Sequence, residues 1–214
     1  MNAKLTRGFT LIELLTVVVI LGVILAIAIP AVTNLSKSMG LRAAIQKVPA
    51  AMALARQYAI LNRRNIQVVF PNKFTTGTTG TNLAPAYVSY AVIDMGPPVK
   101  YLSKWELLPV GSVFMDNNPI LGPSATNPSL DNLGSATFPF PYATSSVARL
   151  AFIEFTPIGS ATPSPLGGPC QFTITEGFVN NGKPTPTSTF TNSLANYALI
   201  SVNPVLGRVQ VTQP

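Results

Sequence analysis

The chain of 214 residues has no histidine and a single cysteine, Cys170. Without histidine there is no Ser-His-Asp or Cys-His catalytic arrangement, most zinc sites are excluded, and the usual pH switch near neutrality is missing. One cysteine rules out an intramolecular disulfide and a thiolate metal cluster, so stability must come from packing. Charge is scarce too: Asp, Glu, Lys and Arg make up 10% of the chain, against roughly 25% in soluble domains, while the 20 prolines run above average. Such a surface is coated with Ser, Thr, Asn and Pro, as extracellular proteins often are. The acids Asp94, Glu106, Asp116, Asp131, Glu154 and Glu176 are scattered singly, with no Asp-x-Asp loop of the kind calcium prefers and nothing that selects a hydrolase pair. Gly77 and Gly80 lie in a Thr-rich stretch without a following Lys-Ser or Lys-Thr, so they form no phosphate cradle. The sequence therefore leads us to expect no catalytic residues, no metal and no cofactor.

What is present begins at the N-terminus. From Leu14 to Val32 the only polar side chain is Thr16, and at about 1.5 Å per residue that run spans roughly the 30 Å hydrocarbon core of a bilayer. It reads as a single-pass membrane helix, with Gly22 midway and Pro30 near its end. Glu13 at its start is out of place, because a carboxylate costs about 2.5 kcal/mol or more near the centre of a membrane helix and somewhat less near the end. A cut between Gly8 and Phe9 resolves this. It creates an α-ammonium at Phe9, one helical turn before Glu13, and the two charges neutralise each other within one helix or between staggered neighbours. The competing reading is an ordinary secretory signal peptide, with Lys4 and Arg7 as its basic region and Ala26-Ile27-Ala28 as its cleavage site. Glu13 serves no purpose there, and Pro30 falls just beyond the cut.

The segment from Arg7 to Pro30 resembles the N-terminus of the type IV pilins and type II secretion pseudopilins. Their prepilin peptidase recognises a short basic leader ending in Gly before Phe-Thr-Leu-Ile-Glu. The resemblance implies a leader over residues 1–8 with Lys4 and Arg7 as its cations, cleavage between Gly8 and Phe9, and N-methylation of Phe9. It also makes Glu13 the filament-assembly glutamate, and Gly22 and Pro30 the helix-breaking positions within the membrane helix, 9–32. Its expected partners are prepilin peptidase, other pilins or pseudopilins, and the bacterial inner membrane. The orientation, N-terminus inside, rests on that resemblance.

An amphipathic helix is expected over 33–64, where Leu41, Ile45, Val48, Met52, Ala55 and Ala59 recur at spacings of four and three and draw one apolar stripe. Arg42, Gln46, Arg56 and Arg63 are expected opposite it, and Pro49 is expected to bend the helix. Arg56, Arg63 and Arg64 are candidates for phosphate or lipid headgroups, or else simply a solvated face. Arg63 and Arg64 fall in the expected last turn, where cations complement the helix dipole.

After Asn65 the period becomes that of strands: 66–70, 87–94, 149–155, 172–176, 197–202 and 208–211 are β-branched or aromatic runs bounded by Gly, Pro and Asn. Residues 65–214 thus read as one mostly antiparallel β domain. Polar, proline-rich stretches at 72–85, 116–146, 159–169 and 180–193 are expected as surface loops or hairpin tips, with Phe138, Phe140 and Tyr142 anchoring the second. Trp105 is expected in the core. The fold class expected is α+β, a long N-terminal helix packed on an antiparallel β domain as in pilins.

This half is also similar to the subfamily called GspH in type II secretion and FimT in type IV pilus systems. The matching segments are Ala53 to Ile60 with Asn62 to Asn65, the strand Ile66 to Phe70, and Trp105 to Pro109 with Gly111. They continue with Leu150 to Phe155, then Thr156-Pro157-Ile158-Gly159, and the closing Gly207-Arg208-Val209. The resemblance implies a non-enzymatic filament subunit, a minor pseudopilin of a type II secretion system or a minor pilin, with its C-terminal domain in the periplasm or outside the cell. Some FimT-type pilins bind DNA through a Gly-Arg-x-Arg segment; here Arg208 is present and Gln210 stands where the second arginine would be, so Arg208, with Arg63 and Arg64, is the candidate DNA contact. A DNA-uptake or adhesion pilin is the alternative function, and a secreted or membrane-anchored enzyme a third.

Overall fold

The computed structural model describes residues 10–72, 86–116, 128–142, 144, 147–162, 170–187, 189–190, 193–194 and 196–213, without the side chains of 27–38, 189–190 and 193–194. Gly8 and Phe9 therefore lie outside the described residues, as does the side chain of Pro30. The chain forms two compact units, Met1–Ser36 and Lys37–Pro214.

Helix α1 runs over Leu11–Asn62. It is unbroken at Gly22, Pro30 and Pro49, so the bend expected at Pro49 is not a break in the helix. In the first unit its large apolar side chains are exposed, from Leu11 at 81% to Leu25 at 57%. Among the described residues no helix is long and apolar enough to cross a membrane. The run read as a span continues to Val32, six residues past Ala26, the last side chain described before the gap.

In the second unit α1 presents Leu41, Ala44, Val48, Met52, Ala55 and Ala59 to the core. Ile45, expected in that stripe, sits half-buried on its flank, and Ala44 takes the central place. Gly40 precedes the stripe because the helix there runs against the backbone of the 109–111 turn: any Cβ would overlap the Val110 carbonyl oxygen. Lys47 fastens the same side, its Nζ 3.0 Å from the Glu106 carboxylate and donating to the Leu107 carbonyl at 3.3 Å. The helix ends in a Schellman turn, with Arg64 N–H donating to the Ala59 carbonyl and Arg63 left-handed at φ 52°. Arg63 thus lies beyond the last turn, in a position that favours glycine. Arg63→Gly is expected to raise stability by about 1 kcal/mol, read as a higher denaturant midpoint of the full chain.

Among the described residues two main antiparallel sheets follow. The first is built on β1 (Ile66–Phe70), β2 (Ser89–Asp94), β3 (Lys100–Tyr101), β6 (Ser135–Pro139) and β7 (Val147–Phe155) in the order β3-β2-β1-β7-β6, with β4 (Glu106–Leu107) on β2 and β8 (Ala161–Thr162) on β7. The second has β9 (Cys170–Asn180), β10 (Lys183–Pro186), β13 (Tyr197–Val202) and β14 (Val209–Thr212) in the order β10-β9-β13-β14, with β5 (Ser112–Phe114) on β9. A small hairpin pairs β11 (Thr189–Phe190) with β12 (Ser193–Leu194). The fold is α+β and pilin-like, with the helix packed on antiparallel sheets.

Phe70 of β1 meets Phe114 of β5 and Phe172 of β9 at ring centroids 5.3 and 5.4 Å apart, so the two sheets share one core with α1. Each such fully buried side chain contributes about 1.5–3 kcal/mol. The first sheet is covered on its other face as well. Val69, Ala91, Ile93, Ala148 and Leu150 lie beneath Phe138 and Phe140, and Trp105 packs edge-on to Phe140 at 5.0 Å while its indole N–H donates to the Pro141 carbonyl. Burial on both faces explains why all five residues of β1 are inaccessible. Phe138 and Phe140 do anchor the 116–146 stretch, but Tyr142 is exposed, and the stretch contains strand β6 where a surface loop or hairpin tip was expected. Likewise β10 lies within the stretch 180–193.

Candidate functional site

Two places hold the residues that the sequence singles out. At the start of α1, Thr10 is the N-cap and Glu13 the third helical residue. Thr10 N–H and Oγ–H donate to Glu13 Oε2 at 2.9 and 2.8 Å, and Glu13 N–H donates to Thr10 Oγ1 at 3.3 Å. This is a capping box, and it satisfies amide donors that a helix terminus otherwise leaves bare. Glu13 therefore does local work within its own chain. The sequence reading missed this role, although Thr-x-x-Glu before an apolar run is its signature. Gly22 lies further along, exposed, with nothing near enough to meet a Cβ.

The second place is the far end of α1 in the domain unit. Arg56, expected in solvent, instead lies half-buried, its Nε donating to the Gly159 carbonyl at 3.1 Å. Its guanidinium and stem cover two glycines, Gly159 at φ 82° and Gly207 at φ 59°. A side chain at Gly207 would run into the Gly159 carbonyl oxygen, so these turns touch backbone to backbone. Each turn is closed by its own bonds. Thr156 N–H donates to the Ser160 carbonyl and Gly159 N–H to that of Thr156. Asn203 Oδ1 accepts from Val205 and Leu206 N–H at 3.0 and 2.9 Å.

This geometry brings Arg208 to the same end of the domain as Arg63 and Arg64. Arg208 and Arg63 are exposed, but Arg64 is held to the buried Asp94 carboxylate at 3.4 Å. Elsewhere burial pushes the Cys170 thiol up to about 11 and the Tyr101 hydroxyl up to about 12, so neither is a nucleophile near neutral pH. Among the described residues, no three His, Cys, Asp or Glu side chains stand close enough to hold a metal ion.

Residues 4–29 match the family described as Prokaryotic N-terminal methylation motif. The motif places this chain in the type IV pilin and pseudopilin superfamily. For a chain with a prepilin-type motif, processing by prepilin peptidase, anchoring in the inner membrane and assembly with other pilins are implied, and so is a structural, non-enzymatic role. The match covers the N-terminal motif alone. No curated protein and no solved structure matches this prepilin-type chain.

Proposed function

We propose that the protein is a minor subunit of a membrane-derived filament, a minor pseudopilin of a type II secretion system or a minor pilin of a type IV pilus. The observation that carries this is the methylation motif over residues 4–29 with Glu13 at the head of the apolar run that opens α1. On this reading Gly8 precedes the cut, Phe9 is the methylated terminus, 9–32 is the membrane and filament-core segment, and Glu13 bonds the Phe9 ammonium of a neighbouring copy or pilin. Gly22 and Pro30 are where the helix loosens on assembly, since a proline inside a helix removes a hydrogen bond and costs about 3 kcal/mol. The GspH/FimT reading draws support from the fold, because three of the segments on which the resemblance rests meet at Arg56: the end of α1, the Thr156–Gly159 turn and the Gly207–Arg208 turn.

The test is mass spectrometry of the mature chain co-expressed with a prepilin peptidase. A protein beginning at Phe9 with one added methyl is expected, and Gly8→Leu is expected to block the cut. A mature chain beginning at Ile29, or one left uncut, sinks the reading.

A further inference from the structure

The two turns clasped by Arg56 carry side chains that turns rarely carry. Tips of this kind are usually Gly, Asn, Asp or Ser, yet here Ile158 is 86%, Val205 76% and Leu206 51% exposed, with Ile60 of α1 at 40% beside them. They form one patch. A Cβ on Gly159 would touch Ile60 Cδ1, Gly207 abuts the Gly159 carbonyl, and Ala161 N–H donates to the Pro204 carbonyl at 2.8 Å. The patch is also rigid, because both turns are closed by their own hydrogen bonds and held together through Arg56. Lone exposed aliphatics are ordinary, but apolar tips from three chain segments on a fixed platform mark a binding surface.

Charge says what kind of partner fits. Five of the domain's acids bond groups of the domain itself: Asp94 with Arg64, Glu106 with Lys47 and Tyr90, Asp131 with Asn72 and Tyr87, Glu154 with Asn65 and Gln67, and Glu176 with Asn196. Arg63 and Arg208, which flank the patch in the chain, are exposed and make no ion pair among the described residues. Apolar tips with arginines close by in the chain have the composition of a protein interface. A phosphate backbone would use the two arginines and leave the aliphatic tips idle in water.

We propose that Ile60, Ile158, Val205 and Leu206, with Arg63 and Arg208, form a docking surface for an acidic segment of a different protein that carries apolar anchors. The surface does not depend on the N-terminal motif, so it stands or falls separately from the filament reading. The test uses the full-length chain in its own cells, with the photo-crosslinker p-benzoylphenylalanine at position 158, which follows β7, and, as a control, at the exposed Tyr142, which precedes it.

The expected result is an adduct from position 158, absent from position 142, with a protein other than this chain whose crosslinked peptide contains Asp or Glu. Arg208→Glu is expected to lower its yield at least about five-fold, while Arg208→Lys lowers it little, because like charge repels an acidic partner. An unchanged thermal midpoint would show that both variants fold. No adduct, equal adducts at the two positions, adducts with nucleic acid or with a second copy, or indifference to Arg208→Glu would each overturn the proposal.

Discussion

A Gly207→Val chain is expected to lose about 3–5 kcal/mol of stability, enough to lower its thermal midpoint by roughly 10 °C. Two costs add. Gly207 has φ 59°, a conformation that costs an ordinary residue about 1–2 kcal/mol and a β-branched one more. Its new Cβ would also overlap the Gly159 carbonyl oxygen, a backbone atom that cannot move aside without opening the Thr156–Ser160 turn and the Arg56 contact. Cys170 supplies the measurement. Its thiol is fully buried and its pKa is pushed up to about 11, so a thiol reagent labels it only when the core opens. Labelling followed against temperature should therefore report the shift.

Gly159→Ala is the internal comparison. Its φ is also positive, but the nearest atom to a new Cβ is the end of the flexible Ile60 side chain, so a loss of about 1–2 kcal/mol is expected. Equal losses at the two positions would mean that the turn-to-turn backbone contact contributes nothing beyond local strain.

The parts of this fold that were legible in the sequence are those where one element's own pattern decides its place. The buried stripe of α1 follows from the 3.6-residue period, and β1 and β13 begin and end where their β-branched runs do. What escaped was set by neighbours. Strands β6 and β10 contain Pro139, Pro184 and Pro186, which argue for loop, yet both strands end their sheets, where a missing N–H costs no ladder bond. The strands β3, β4 and β8 are two residues long and exist only through their partners.

The site was legible to the same extent. The position of Arg56 on the helix wheel suggested solvent, because periodicity gives the direction of a Cβ and not what a long side chain reaches. Arg56 reaches a turn 103 residues away. At the other end the error had a different source. Glu13 looked anomalous only as a charge in an apolar run, and that hid the Thr-x-x-Glu spacing that caps a helix.

That spacing gives Glu13 a capping role beside the assembly role proposed for it, and one substitution separates the two. Glutamine retains the geometry of a capping box and loses the charge, so Glu13→Gln should keep the start of α1 and its processing by the peptidase. If a pair with a neighbour's Phe9 ammonium drives assembly, the same variant should drop out of filaments by at least about ten-fold, the neighbour's cation being left unpaired in an apolar core. Thr10→Ala does the converse, since it removes the cap at a cost of about 1 kcal/mol and leaves the carboxylate, so its assembly should fall less. The measurement is the share of each chain in sheared filaments against membranes, with the mature N-terminal mass showing that processing is intact. Before assembly the cap supplies the carboxylate with the N–H and O–H of Thr10, which lowers the cost of holding Glu13 at an apolar helix end. On the proposed charge pairing, incorporation would exchange those donors for an ammonium. A Glu13→Gln chain that assembles like the parent would leave the cap as the residue's whole function and remove the charge pair from the mechanism.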